Sequence, residues 1–122
     1  SNPKIHKDFN ILSVGRLENL KGFILTIDAF LHFIKKVKSK KINLLIIGSG
    51  SLKFEIQKII DNNKKYSMKL VAWVDQKLLV KYYKKASVFI YPSFEAQGLV
   101  VAEALSSSLP VITLKNTGYS TI

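Results

Sequence analysis

The 122-residue sequence contains no cysteine and only one arginine. Without cysteine, the chain can form neither a disulfide framework nor a metal site built from thiolates. No window approaches the roughly 20 apolar residues that a membrane-spanning helix needs, and residues 1–7 lack the apolar core of a signal peptide. These absences exclude a disulfide-stabilised mini-protein and favour a cytoplasmic location.

Basic residues outnumber acidic ones by 19 to 8, and all but Arg16 are lysine. Proteins that bind nucleic acid usually rely on the planar fork of arginine, so this composition predicts no nucleic-acid partner. Nine of the lysines form two clusters, which we interpret mainly as solvated helix faces. The alternative is attraction to an anionic membrane surface, at the inner face of the cell membrane. The clusters are Lys35, Lys36, Lys38, Lys40 and Lys41, and Lys77, Lys81, Lys84 and Lys85.

Strand and helix patterns alternate along the whole chain. Short apolar runs predict strands, and apolar residues at helical spacing predict helices between them. Strands separated by helices imply an α/β fold with a parallel sheet covered on both faces. The predicted strands are 10–14, 42–47, 69–74, 86–91 and 110–114, and the predicted helices are 23–37, 52–60, 76–85 and 97–107.

The third predicted helix has the clearest start. Asp75 is a typical N-cap residue, because its carboxylate can accept a hydrogen bond from a free N–H of the first turn. The helical spacing places Leu78, Leu79 and Tyr82 inward. Residues 64–67, just before the third strand, are predicted to be an exposed loop.

The loop after the first strand carries the sole arginine. Gly15 permits a tight turn, Arg16 can make a forked contact with phosphate oxygens, and Lys21 adds a second positive charge. Gly22 then opens the first helix. Taken alone, this pattern is about as consistent with ordinary surface charge as with a phosphate site.

The loops after the second and third strands give weaker signals. Gly48 and Gly50 flank a serine, and a lone G-x-G after a strand is more often a plain turn than a nucleotide loop. Trp73, at the end of the third predicted strand, could stack on a base or equally be a core or edge aromatic.

The loop after the fourth strand carries two acids at a fixed spacing. Glu95 lies in this loop, and Glu103 lies between two alanines of a small, apolar helix. Burial of Glu103 would be costly unless its carboxylate accepts hydrogen bonds, either from protein donors or from a ligand. The free N–H groups of the first helical turn, at Gly98, Leu99 and Val100, suit a phosphate. Read without relatives, Glu103 could be a satisfied buried acid and Glu95 an exposed loop residue.

The spacing of Glu95 and Glu103 resembles the E-x7-E signature of group 1 retaining glycosyltransferases. The segment from Gly15 to Gly22 is similar to the G-R-L-x-x-x-K-G segment of the same family. The resemblance implies a Rossmann-like domain, one half of a two-domain GT-B enzyme, over residues 1–122. It also implies that the last helices of this domain and an N-terminal acceptor-binding domain are missing.

The resemblance also implies roles for individual residues. Arg16 and Lys21 would hold the diphosphate of a UDP- or GDP-linked sugar, together with the amides of Gly98, Leu99 and Val100. Glu95 would contact hydroxyls of the transferred sugar, and Glu103 would bind the ribose. Gly15 and Gly48 would line the donor site, and Glu95, Arg16 and Lys21 would serve catalysis.

The implied reaction moves a sugar to an acceptor hydroxyl with retention, and it needs neither a metal nor a further cofactor. His6 and His32 are far apart in sequence and are predicted to lie on the surface rather than bind a metal. Bacterial glycan biosynthesis is a family-level expectation. Two alternatives remain: a nucleotide-binding module without transferase activity, and a basic domain that binds membranes peripherally.

Overall fold

The computed structural model describes residues 8–37, 41–92 and 99–113. Within those ranges the elements are β1 (Asp8–Val14), α1 (Leu20–Lys36), β2 (Lys41–Ile47), α2 (Lys53–Asp61), β3 (Ser67–Val71), α3 (Gln76–Lys85), β4 (Val88–Tyr91), α4 (Leu99–Ser106) and β5 (Val111–Thr113). The alternation of strand and helix predicted from the apolar pattern is therefore confirmed. No helix in these ranges combines the length and the apolarity that crossing a bilayer requires.

The strands form one sheet in the order β3-β2-β1-β4-β5, and every neighbouring pair is parallel. The longest pairing aligns Asp8–Val14 of β1 with Lys41–Ile47 of β2. From β1 the chain proceeds toward one edge of the sheet, and from β4 it proceeds toward the other. The connections from β1 to β2 and from β4 to β5 thus lead in opposite directions. Their divergence creates a crevice at the carboxyl ends of β1 and β4.

Two apolar layers cover the two faces of the sheet. The first joins α1 and α2 to the sheet through residues such as Phe23, Phe30 and Ile56. The second joins α3 and α4 to the opposite face through Leu79 and Ala104. Alternate residues of each strand point to opposite faces, so every central strand supplies both layers. The predicted α/β sheet with helices on both faces is confirmed.

Helix α1 shows how the local sequence sets the boundaries of an element. The side chain of Asn19 accepts a hydrogen bond from the Gly22 N–H at 3.0 Å and thereby caps the N-terminus. Phe23, Ile27 and Phe30 follow at helical spacing and are buried. Lys35 and Lys36 occupy the last turn, where positive charge complements the helix dipole.

The third strand differs from its prediction. It spans Ser67–Val71, because its pairing with β2 begins at Ser67 and ends at Val71. Residues 72–75 leave the sheet, and the Trp73 N–H instead donates to the Ser49 hydroxyl at 3.1 Å. Extending the strand to residue 74 was therefore wrong. The apolar run alone does not show where the hydrogen-bonded pairing of β3 with β2 ends.

Helix α3 begins as predicted but turns a different side inward. Asp75 accepts from the Leu78 N–H at 2.9 Å, which confirms the cap. Leu79 and Tyr83 are buried, whereas Leu78 is 41% exposed and Tyr82 only partly buried. The prediction of Leu78 as an inward residue was wrong. The face of α3 that packs on the sheet carries Leu79 and the ring of Tyr83 instead.

Candidate functional site

The segment after β1 and the beginning of α1 reach Pro92, the first residue after β4, at the crevice between these strands. A side chain at Gly22 would collide with the carbonyl oxygen of Pro92, so α1 approaches the loop after β4 at a distance that only glycine permits. The amide of Asn19 reaches the same carbonyl at 3.5 Å. Asn19 therefore caps α1 and also lies against the loop after β4.

The loops after β1 and β2 are joined by backbone hydrogen bonds. The Leu17 N–H donates to the Ser49 carbonyl at 3.1 Å, and the Leu52 N–H donates to the Leu17 carbonyl at 2.8 Å. A side chain at Gly48 would collide with the carbonyl oxygen of Gly15. This contact gives Gly48 a packing role, because it lets the two loops lie directly against each other at the carboxyl ends of β1 and β2.

Arg16 extends into solvent from the loop after β1, and its side chain is 85% exposed. Its guanidinium lies 3.8 Å from the carboxylate of Glu18, which is itself half exposed. An ion pair this open and this long holds its partners weakly. The guanidinium is thus accessible to an anion from solvent, and the exposed Lys21 lies in the first turn of α1.

Glu103 lies on the second turn of α4 and is partly buried. The amide Nε2 of Gln76 donates to its Oε2 at 2.7 Å, and the hydroxyl of Tyr83 donates to its Oε1 at 3.3 Å. Both carboxylate oxygens therefore accept hydrogen bonds from α3. The sequence left open whether the carboxylate of Glu103 accepts hydrogen bonds from protein donors or from a ligand. The structure shows protein donors.

Tyr83 is the buried member of this group. Its ring packs edge-on against Phe89 of β4, with centroids 6.0 Å apart. Burial raises the pKa of the Tyr83 hydroxyl well above its ordinary value, and the nearby charge of Glu103 raises it further. The hydroxyl therefore remains a neutral donor throughout the physiological pH range.

The raised pKa of Tyr83 predicts a loss of stability in alkali that Tyr83→Phe should reduce. In the unfolded chain tyrosine ionises near pH 10, whereas in the folded protein it stays protonated to higher pH. The contribution of the raised Tyr83 pKa to the free energy of unfolding is complete below about pH 10. Above that pH the contribution falls, by up to about 1.4 kcal/mol per pH unit. Urea denaturation at pH 9, 10 and 11 should show a steeper decline for the wild type than for Tyr83→Phe. Parallel declines would contradict the prediction.

Some of the predicted site residues lie within the described ranges, and others lie outside them. Glu95 and Gly98 lie outside the described residues, as does the side chain of Leu99, although the backbone of α4 begins at Leu99. Trp73 is half exposed, which rules out a core position. His32 is exposed, as predicted, and His6 lies outside the described ranges.

Three residues of the site were not identified from the sequence. Asn19 carries a recognisable signal, since asparagine before a helical pattern is a common N-cap. Gln76 and Tyr83 carry none, because their contacts with Glu103 join residues 20 or more positions apart in the sequence. Only the packing of α3 beside α4 brings them to the carboxylate.

Comparison with known proteins gives one family over the whole chain. Residues 1–122 match the family model described as "Glycosyl transferases group 1". The amylovoran biosynthesis glycosyltransferase AmsK of Erwinia amylovora is 32% identical in an alignment that covers 93% of this chain and 30% of that protein. The alpha-monoglucosyldiacylglycerol synthase of Acholeplasma laidlawii is 34% identical over 86% of this chain and 26% of that enzyme.

Solved structures show the same fold. The pneumococcal O-GlcNAc transferase GtfA, crystallised with UDP and GlcNAc, superposes with a TM-score of 0.74 and 26% identity. That alignment covers 87% of this chain and 20% of the transferase. The chain thus spans less than a third of the length of these relatives, and the neighbours are GT-B glycosyltransferases.

Proposed function

Because this chain belongs to the group 1 glycosyltransferases, we propose that it is the donor-binding domain of a retaining enzyme. The enzyme would transfer a sugar from a nucleotide diphosphate sugar to an acceptor hydroxyl. One observation carries the proposal: α1, which follows the loop that bears Arg16, packs at Gly22 against Pro92, the first residue after β4, at the crevice between the carboxyl ends of β1 and β4. Ligands of open parallel sheets bind at this position.

The diphosphate would lie between the two loops. Arg16 offers a planar fork to phosphate oxygens and Lys21 a compact positive charge. The first free N–H groups of α4, around Gly98, Leu99 and Val100, would complete the site with the positive end of the helix dipole. This arrangement supplies positive charge without a metal ion. The packing of Gly22 against Pro92 supports the proposal, since it brings the first turn of α1, which carries Lys21, next to the end of β4.

Glu103 would bind the ribose hydroxyls of the same nucleotide, and Glu95 the hydroxyls of the transferred sugar. The acceptor oxygen would attack the anomeric carbon on the face that the diphosphate leaves. The bond from that carbon to the phosphate oxygen breaks with its electron pair on the oxygen, and the acceptor proton passes to the same oxygen. Arg16 and Lys21 would stabilise the charge that develops there.

UDP is the first donor nucleotide to test. The pneumococcal relative was crystallised with UDP and GlcNAc, which supports a uridine donor without excluding GDP-linked sugars. The acceptor side of the cleft would come from a further domain, since the relatives are more than three times as long as this chain.

Calorimetric titration of the 122-residue chain with UDP, GDP and ADP tests donor binding. We expect one diphosphate to bind with a Kd between micromolar and millimolar, on the order of 4 to 8 kcal/mol. The Arg16→Ala, Glu103→Ala double variant should lose this binding while its circular dichroism spectrum and melting temperature show that it remains folded. Lys36→Ala is the matched control, because it removes a positive charge at the opposite end of α1.

Failure of every diphosphate to bind the folded chain would overturn the proposal. Salt-sensitive binding to anionic vesicles in that case would favour the peripheral-membrane alternative, which the four exposed lysines of α3 support. Binding of a diphosphate, with no sugar transfer by the full-length protein, would identify a nucleotide-binding module instead.

A further inference from the structure

We propose that Gln76 is a positioning residue that sets the preference of this domain for a nucleotide with ribose hydroxyls. The proposal rests on the ribose-binding role proposed for Glu103. Gln76 is the first residue of α3 and follows the Asp75 cap, so its backbone position is fixed by the start of that helix. From there its amide donates the shortest hydrogen bond to Glu103, at 2.7 Å.

The orientation of the Gln76 amide follows from chemistry. An ionised carboxylate has only acceptors, so the amide must present its NH₂ group to Glu103 rather than its carbonyl oxygen. The Tyr83 hydroxyl approaches the other carboxylate oxygen, but at 3.3 Å, and it also lies 3.4 Å from the Val100 carbonyl. One hydroxyl proton shared between two acceptors makes a weaker contact with each of them. Gln76 therefore makes the shorter and undivided hydrogen bond to the carboxylate, from an exposed position on α3.

The carboxylate retains capacity for a ligand. Its two oxygens together offer about four lone-pair sites, and among the described residues Gln76 and Tyr83 occupy one on each oxygen. The vicinal hydroxyls of a ribose bring two donors, one for each remaining oxygen site. A carboxylate already held in place binds them without the cost of being ordered on binding. Gln76 would thus act through Glu103 rather than by touching the nucleotide.

This arrangement separates two nucleotides that differ only in the ribose. UDP carries both hydroxyls, whereas 2′,3′-dideoxyuridine diphosphate carries neither and cannot donate to Glu103. Gln76→Leu keeps the bulk of the side chain but removes the donor. We expect this variant to bind UDP about fivefold more weakly, the typical effect of one hydrogen bond, and to bind the dideoxy analogue with unchanged affinity.

The readout is the Kd of the dideoxy analogue divided by the Kd of UDP. Both constants are measured by calorimetry on folded wild-type and variant chains. Lys77→Leu is the matched control, since it introduces the same side chain at the adjacent, exposed position of α3. Gln76→Glu is a second test, because it places a carboxylate opposite Glu103 and should lower the ratio at least as much as Gln76→Leu. A purely structural role for Gln76 would weaken binding of both nucleotides equally.

The outcomes separate this proposal from the one it rests on. Absence of UDP binding by the wild type, or equal binding of UDP and its dideoxy analogue, would overturn the proposed role of Glu103 and this inference with it. A wild-type preference for UDP that persists unchanged in Gln76→Leu and Gln76→Glu would overturn the inference alone. A preference that falls in both variants and stays intact in Lys77→Leu would establish it.

Discussion

Replacing Arg16 by alanine in the full-length enzyme is expected to lower kcat/KM for sugar transfer by about 10²- to 10³-fold. Such a loss is typical when one group that stabilises developing charge in a transition state is removed. The guanidinium is 85% exposed, and within the described ranges its ion pair is the long contact with the exposed Glu18, so no buried partner there loses a hydrogen bond when it is removed. We therefore expect the loss in activity without a matching loss in stability. Steady-state transfer kinetics and thermal melts of the same preparations measure the two effects.

Two further variants show what the arginine contributes. Arg16→Lys keeps the charge but not the fork, so we expect it to recover only part of the lost kcat/KM. Glu18→Gln removes the exposed partner of Arg16 and should leave stability within about 0.5 kcal/mol of the wild type. If Arg16→Ala retained wild-type kcat/KM, Arg16 would have no part in catalysis, and the loop after β1 would be ordinary charged surface.

Replacing Phe89 by alanine is expected to destabilise the fold by about 3 to 5 kcal/mol, as is usual when a buried phenylalanine is truncated. Phe89 is fully buried in β4 beneath α3 and α4. Its ring supports Tyr83, whose hydroxyl lies against Glu103. The cavity would lie beside the ring of Tyr83. Because native domains have only about 5 to 15 kcal/mol of stability, urea denaturation should show a large shift in midpoint.

The chain offers a matched comparison for this truncation. Phe54 is 79% exposed, so Phe54→Ala removes the same atoms from solvent and should change stability by no more than about 0.5 kcal/mol. Phe89→Leu keeps most of the buried volume and should cost less than about 1.5 kcal/mol. Equal effects of Phe89→Ala and Phe54→Ala would mean that the packing of Phe89 against Tyr83 contributes nothing to stability.

Local sequence predicted the elements of this fold well, because each strand and helix carries its own apolar period. The caps at Asn19 and Asp75 follow from short polar side chains next to free N–H groups. The predictions failed where an outcome depends on a neighbouring element. The third strand ends at Val71 because its pairing with β2 ends there, and Leu78 is exposed because Tyr83 takes the inward position.

The candidate site divides in the same way. Arg16, Lys21 and Glu103 were predicted as site residues from the sequence, because a lone arginine after a glycine and an acid in an apolar helix are unusual in their immediate surroundings. The contact of Gly22 with Pro92, and the hydrogen bond from Gln76 to Glu103, join residues that are far apart in the chain.

The sequence by itself thus determined the order of strands and helices, the family and the charged residues of the first loop, since these depend on local period, capping and motif. Only the tertiary structure decided the order of strands in the sheet, the close approach of α1 to Pro92 after β4, and the donors that hold Glu103. Strand pairing and helix packing bring those groups together. No local pattern records them, because each contact requires two segments that are positioned independently by the core.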